Sequence, residues 1–244
     1  KIAERKKLEF DEDFCESKWI GFDNEEVTVK TMAWYAKEDK PDNYYDWHER
    51  WCRPKILEAV KNRKLDSIVA EAFYRVFWLH YMHTGKRWAE FRRSRLVTLS
   101  EDFKIRRVIT EKFIPCFDKQ RALLSDEKLT LNKVGNKSKL YKEKADELES
   151  LIKETGELIK DLQKERFRST LVKSLKEYFY KENLAKILDK NPSLLGCGNC
   201  VIEVNDKEAF TRNGKPEDYI TKKVGVNYKS IYTYQHPDVQ ALLK

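Results

Sequence analysis

Apolar residues recur at helical spacing along much of the first half of the chain. Over residues 65–83 they occupy nearly every side of a helix, a pattern typical of a buried central helix, and Gly85 is placed to end it. A second amphipathic stretch, residues 45–60, is expected to pack against that helix. Residues 1–124 therefore predict an aromatic-rich helical domain.

Residues 125–191 predict a long helical segment of a different kind. After a loop or weak hairpin over 125–137, the tract 138–188 contains one glycine and no proline. Its apolar residues form a narrow seam flanked by Glu and Lys, as in a coiled coil. The seam consists of Leu148, Leu151, Ile152, Leu158, Ile159 and Leu162. It can pair within the chain or between copies, so a homo-oligomer joined through 138–188 is one expectation.

The composition changes again after residue 191, where Asn191, Pro192 and Ser193 interrupt the helical pattern. Residues 201–204 are the best strand candidate, and 212–215 predict a turn. The third region, 192–244, is thus expected to hold a CxxC turn, a short β element and a helical end. The fold class predicted for the whole chain is mainly α.

The composition supports this fold class and suggests a compartment. Only 8 Gly and 6 Pro occur among 244 residues, which favours long helices over short strands. No run of 18 apolar residues is present, so no membrane partner is expected. Five irregularly spaced cysteines favour a reducing compartment. We expect a cytoplasmic protein of a bacterial or phage-infected host cell.

The charge balance favours a polyanionic partner. The net charge is +8, from 49 basic and 41 acidic residues, and basic proteins commonly bind nucleic acid. Two local clusters, at 92–95 and 104–107, can either line a phosphate backbone or form exposed polar faces. An ordinary solvated surface with a lysine excess remains the alternative for the charge as a whole.

The C-terminal segment has residues typical of two helices joined by a tight turn. Ile220 and Val224 are spaced to face inward from a first helix, and Gly225 falls where a left-handed residue is needed. Asn227 is a natural N-cap for a second helix, which Pro237 follows.

This pattern over 217–244 resembles the helix-turn-helix of phage small terminase subunits and of related transposase and recombinase DNA-binding domains. The resemblance implies that the second helix enters the major groove of duplex DNA. The residues expected to contact DNA are Lys222, Lys223, Asn227, Tyr228, Lys229, Tyr232, Thr233 and Gln235. The alternative is a three-helix unit used for protein contacts.

A cysteine pair and two histidines are the other candidates for chemistry. Cys197 and Cys200 form half of a zinc site, which needs four ligands. Further ligands can come from His236 or from the pair His48 and Cys52; otherwise the two cysteines are structural thiols, and no other cofactor is expected. Two histidines of the 65–83 stretch, His80 and His83, predict core packing rather than catalysis.

No phosphate-binding loop, dinucleotide-binding glycine pattern, nucleophile elbow or HExxH occurs in the sequence. The sequence therefore predicts a non-enzymatic DNA-binding protein of a phage or mobile element: a transcription regulator, small terminase or replication factor. The alternative is a helical structural or adaptor subunit. In that case the aromatic N-terminal region would bind a protein partner.

Overall fold

A computed structural model describes residues 29–99, 101–133, 139–204 and 209–228. Its first elements are helices α1 (Val29–Asp39), α2 (Pro41–Lys61) and α3 (Asp66–Phe77). Pro41 begins α2, because its fixed φ suits the first helical turn. Helix α2 packs against α3, as the apolar pattern over 45–60 predicts.

The buried helix expected over 65–83 is shorter than predicted. It ends at Phe77, and Tyr81–His83 form strand β1. The backbone carbonyl of His80 accepts the N–H of Phe91 at 2.7 Å, which draws the chain into a sheet. A run that is apolar on all sides suits a buried strand as well as a buried helix, so periodicity could not separate the two.

Strand β1 belongs to a three-stranded antiparallel sheet with β2 (Trp88–Arg92) and β3 (Arg95–Leu99). Arg93 and Ser94 join β2 to β3 with φ values of 51° and 62°, as a two-residue hairpin turn requires. Gly85, at φ 86°, lies in the connection between β1 and β2. It therefore does not end the helix as predicted.

A nearly continuous helical rod follows the sheet. It consists of α4 (Phe103–Val108), a π-helical turn (Ile109–Phe113) and α5 (Ile114–Lys133). The loop or hairpin predicted over 125–137 is wrong for residues 125–133, which are helical. Ion pairs to the next helix, α6 (Lys139–Gln163), stabilise this extension: Lys128 Nζ lies 3.1 Å from Glu149, and Lys144 Nζ lies 3.4 Å from Glu127.

The tract predicted over 138–188 divides at Lys164, whose extended backbone separates α6 from α7 (Glu165–Tyr178). Leu158, Ile159 and Leu162 of the predicted seam are buried in one core with residues of α2, α3 and α5. These three seam residues are therefore covered within the chain. Homo-oligomerisation through this tract stays a prediction.

The remaining described elements are α8 (Leu184–Ile187), β4 (Leu194–Gly196), β5 (Val201–Val204), β6 (Ala209–Arg212) and a 3-10 turn (Pro216–Asp218). The three strands form a second antiparallel sheet in the order β4-β5-β6. The strand predicted at 201–204 is confirmed. The mainly helical fold class is confirmed too, whereas the domain boundaries predicted near 124 and 192 stay predictions.

The first helix of the predicted helix-turn-helix is absent. Residues 219–228 contain no helix. The Ile220 carbonyl accepts the N–H of Leu96 in β3 at 2.7 Å, and the Val224 N–H donates to Gly196 in β4 at 2.9 Å. Gly225 does not have the left-handed backbone that the motif needs. Hydrogen bonds to two sheets thus replace those of a helix, and residues 229–244 lie outside the described residues.

Within the described residues, no helix combines the length and the apolar character needed to cross a membrane.

Candidate nucleic-acid interface

The basic cluster at 104–107 lies on α4, and the structure shows why its side chains face outward. Ile105, Ile109, Phe113 and Phe117 form one fully buried row. Each four-residue step exceeds a helical turn of ~3.6 residues. The π-helical turn, with its wider i→i+5 hydrogen bonding, takes up the excess and keeps the row directed at the core.

The outward side of this row is strongly basic. Residues 103–113 carry four basic side chains and one acidic one, Glu111. The neighbouring helix α7 carries four basic and two acidic side chains. The two helices pack together, and Arg106, Arg107 and Arg168 of these sets lie along one groove. The groove is lined by Phe103, Arg106, Arg107, Thr110, Glu111, Glu165 and Arg168. We call this surface the α4–α7 face.

Two arginines hold one carboxylate at the centre of the α4–α7 face. Arg106 Nη1 donates to Glu165 Oε1, and Arg168 Nη2 donates to Glu165 Oε2 at 3.0 Å. Arg168 Nη1 also donates to Thr110 Oγ1 at 2.8 Å. The hydrogen bond from Arg168, together with the charge of Arg106, lowers the pKa of Glu165. The carboxylate is therefore ionised at neutral pH.

The two arginine side chains are partly buried at this face. The Nε atoms of Arg106 and Arg168 are buried and have no partner in the described part of the chain. Phe103, at the start of α4, leaves 46% of its surface exposed beside them. Arginines beside an exposed aromatic ring suit a nucleic-acid strand, because the cations bind phosphates and the ring stacks on a base.

The residues expected to contact DNA lie elsewhere, where they are described at all. Lys222 and Lys223 are exposed on the extended segment, and the Lys222 N–H donates to Asp189 Oδ1 at 3.1 Å. Tyr228 exchanges hydrogen bonds of 2.9 and 3.0 Å with Asn199. Asn227 lies beside Gly198 of the same turn. Lys229, Tyr232, Thr233 and Gln235 lie outside the described residues.

The other basic cluster, at 92–95, forms the tip of the β2–β3 hairpin. Arg92 and Arg93 are exposed, and Arg95 donates to the Thr221 carbonyl at 3.3 Å. This cluster therefore lies next to the extended C-terminal segment. It offers positive charge with no exposed aromatic ring among its own residues.

Cys197 and Cys200 lie in the β4–β5 turn, where the Cys197 N–H donates to the Cys200 carbonyl at 2.8 Å. Both side chains are buried, and burial raises the pKa of the Cys200 thiol. Across the described ranges, no three potential ligands gather into a metal site. His48 hydrogen-bonds to Cys52 and to the Arg75 carbonyl, and His236 lies outside those ranges. Zinc binding stays a prediction.

Two histidines of the predicted buried helix lie among aromatic residues. His83 packs edge-on to Trp88 and accepts the N–H of Gly85 at 3.1 Å. His80 lies between Phe77 and Tyr81. These contacts support core packing over catalysis.

The aromatic N-terminal region divides into buried and exposed rings. Tyr44 is buried, whereas Tyr35, Tyr45 and Trp47 are exposed. Trp47 stacks on Trp51 with ring centroids 5.4 Å apart. A protein partner at this surface stays a prediction.

Two viral proteins are similar to this chain. The "Putative helicase L207/L206" of Acanthamoeba polyphaga mimivirus is 24% identical over 226 residues, which cover 91% of the chain and 22% of that protein. The "Putative helicase 184R" of Invertebrate iridescent virus 6 is 24% identical over 282 aligned positions, which cover 100% of the chain and 29% of that protein. The chain thus spans under a third of the length of these relatives.

These similarities contradict the expectation of a non-enzymatic phage regulator or terminase, and that of a structural adaptor, because both relatives are named as helicases. Sequence reasoning missed this relationship because the signatures that it sought belong to catalytic loops, and none occurs in the chain. The family model for "D5 N terminal like" matches residues 58–244, which include α4, α7 and the whole C-terminal segment. Because this match covers more than half of the sequence, the chain belongs to the D5 N terminal like family.

Proposed function

We propose that this chain is a DNA-handling module of a viral helicase, which binds single-stranded DNA on its α4–α7 face and presents the strand to the motor. The observation that carries the proposal is the arginine pair Arg106 and Arg168, whose Nη atoms already bind one carboxylate, beside the exposed ring of Phe103. The helicase names of both relatives support the nature of the larger protein.

Unwinding requires hydrolysis of a nucleoside triphosphate, and motor domains bind its phosphates on a glycine-rich loop. This sequence has no such loop. In the proposal, residues outside this sequence supply the motor, and the present residues supply contacts to the strand.

Single-stranded rather than duplex DNA is proposed because of Phe103. An exposed ring stacks on an unpaired base, whereas bases of a duplex are already stacked on one another. The surrounding guanidinium groups bind backbone phosphates of either form. Only the aromatic contact therefore favours the separated strand.

The proposal is tested with a fluorescent thymidine oligonucleotide and the double variant Lys104→Glu/Arg107→Glu. Both side chains are exposed on α4, so their replacement leaves the core intact. Binding is expected to weaken at least tenfold, and the salt dependence should fall by about 0.7 in log–log slope for each phosphate that the variant no longer binds.

The matched control is Lys142→Glu/Lys153→Glu on α6, which changes the net charge equally at two exposed lysines. It is expected to weaken binding far less. Equal weakening by both variants, or no binding by the unaltered chain at low salt, would contradict the proposal.

A further inference from the structure

The carboxylate of Glu165 occupies the centre of the α4–α7 face. Each of its oxygens accepts from a different arginine, Arg106 from α4 and Arg168 from α7. Ser169 Oγ also donates to Oε1 at 3.3 Å. Glu165 thus links the two basic helices by accepting hydrogen bonds from one arginine of each.

This arrangement resembles the way in which proteins hold a phosphate group. Arginine pairs bind planar carboxylates and tetrahedral phosphates through the same parallel N–H donors. A phosphate that replaces Glu165 would meet the same donors, Arg106 Nη1 and Arg168 Nη2, that now bind the two carboxylate oxygens.

Glu165 is also free to move away. Its side chain is 63% exposed and it is the first residue of α7, so an outward rotation meets solvent rather than packed atoms. Exposed ion pairs are weak because water and salt screen them. The arginines are more confined, with 33% of the Arg106 side chain and 20% of the Arg168 side chain exposed. The carboxylate can therefore leave while the cations stay in place.

We propose that Glu165 is an internal stand-in for a backbone phosphate, which holds the arginine pair in position and is displaced when single-stranded DNA binds. This inference rests on the proposed function and adds to it an internal competitor that sets the affinity of the face. When a bound phosphate leaves, the Glu165 carboxylate pairs with the two arginines again. This exchange allows the strand to slide along the face.

Glu111 is the natural control, because it lies on the same face but bridges nothing. Among the described residues it pairs with Arg107 alone, four residues earlier in the same helical rod, at 2.6 Å. Neutralising either glutamate raises the net charge by one. Only neutralising Glu165 frees two arginines from different helices.

The test compares Glu165→Gln with Glu111→Gln for binding of the fluorescent thymidine oligonucleotide at fixed salt. Glu165→Gln is expected to bind about two- to fivefold more tightly, the factor that corresponds to loss of the two competing ion pairs with Arg106 and Arg168. Glu111→Gln should change affinity less than about twofold, because it frees a single, mostly exposed arginine. Adding Arg106→Gln to Glu165→Gln should abolish the gain.

Equal tightening by the two glutamine variants would overturn the inference, since it would reflect net charge alone. Unchanged or weaker binding by Glu165→Gln would overturn it as well, while leaving the proposed function intact if Lys104→Glu/Arg107→Glu still weakens binding. Absence of binding by the unaltered chain would instead refute the proposed function. Should Glu165→Gln fail to melt cooperatively, Glu165→Ser replaces it in the same comparison.

Discussion

At the scale of single residues, His80 and Lys37 form an unusual pair. Their Nε2 and Nζ atoms lie 3.5 Å apart. Burial, reinforced by the charge of Lys37, lowers the pKa of His80 to about 3, and burial also lowers the pKa of Lys37. His80 is therefore neutral in the folded protein at pH 5, whereas in the unfolded chain it would take up a proton there.

This difference predicts that His80 makes the fold acid-labile. Because the folded pKa is depressed, its contribution to stability is complete above about pH 6.5 and is lost as the pH falls toward 3. Between pH 7 and pH 5 the group should cost about 2 kcal/mol of unfolding free energy. Urea unfolding at the two pH values should show this loss in the unaltered chain and a smaller one in His80→Gln. Identical losses in both proteins would contradict the assignment.

Asp218 and Arg212 form the other residue-scale feature that makes a prediction. The Asp218 side chain is 1% exposed and accepts two hydrogen bonds of 2.8 Å from Arg212, with a third from the Lys215 N–H. Removing Asp218 takes the carboxylate away from both Nη atoms of the half-buried Arg212 and leaves only the pair of its Nε with Glu203.

Asp218→Ala should therefore destabilise the protein by about 3–5 kcal/mol in urea unfolding. Glu203→Gln is the comparison, since Glu203 also pairs with Arg212 but is 35% exposed. It should cost much less. If Asp218→Ala lowers the free energy of unfolding no more than Glu203→Gln does, the buried pair of Arg212 and Asp218 does not stabilise the turn at 216–218.

At the scale of elements, the amphipathic helices and one strand could be predicted from the sequence because their signals are local. Helix α2 and the strand β5 follow directly from spacing and β-branched content. Strand β1 could not be predicted, because one of its backbone partners, Phe179, lies far along the chain. The π-helical turn likewise depends on the core that its row of side chains must face.

In the candidate site, too, local features could be predicted and long-range contacts could not. The basic cluster on α4 is visible in the sequence, whereas its partnership with α7 joins Arg106 to a residue 59 positions away. The prediction of a helix-turn-helix was misleading because the spacing of Ile220 and Val224 fits an amphipathic helix and fits an extended segment equally well. In the structure this segment is extended and hydrogen-bonds to two sheets. Local spacing does not show which partner the backbone finds.

Substitutions at two glycines distinguish an extended C-terminal segment from a helix-turn-helix. A Cβ on Gly196 would lie 2.6 Å from the Lys222 carbonyl, whereas one on Gly225 would meet nothing within 4 Å. Gly196→Ala should lower stability by about 1–3 kcal/mol through overpacking, and Gly225→Ala should be nearly neutral. Thermal unfolding measures both. A marked loss with Gly225→Ala would indicate the left-handed turn of a helix-turn-helix instead.

At the scale of the whole molecule, the structure shows where the positive charge lies, which the net charge alone does not. The net charge of +8 is a sum over many paired side chains. An exposed aromatic ring and the arginine pair coincide at the α4–α7 face, on the helical body rather than on the described part of the C-terminal segment. The family match over residues 58–244 includes this face.

Photo-crosslinking tests the location of the bound strand most directly. An oligonucleotide carrying 5-iododeoxyuridine is irradiated with the unaltered chain, and the modified peptide is identified by mass spectrometry. We predict attachment at Phe103, because the base stacks on that ring, and loss of that product in Phe103→Ala. Attachment confined to the 92–95 hairpin or to residues 219–244 would contradict this location.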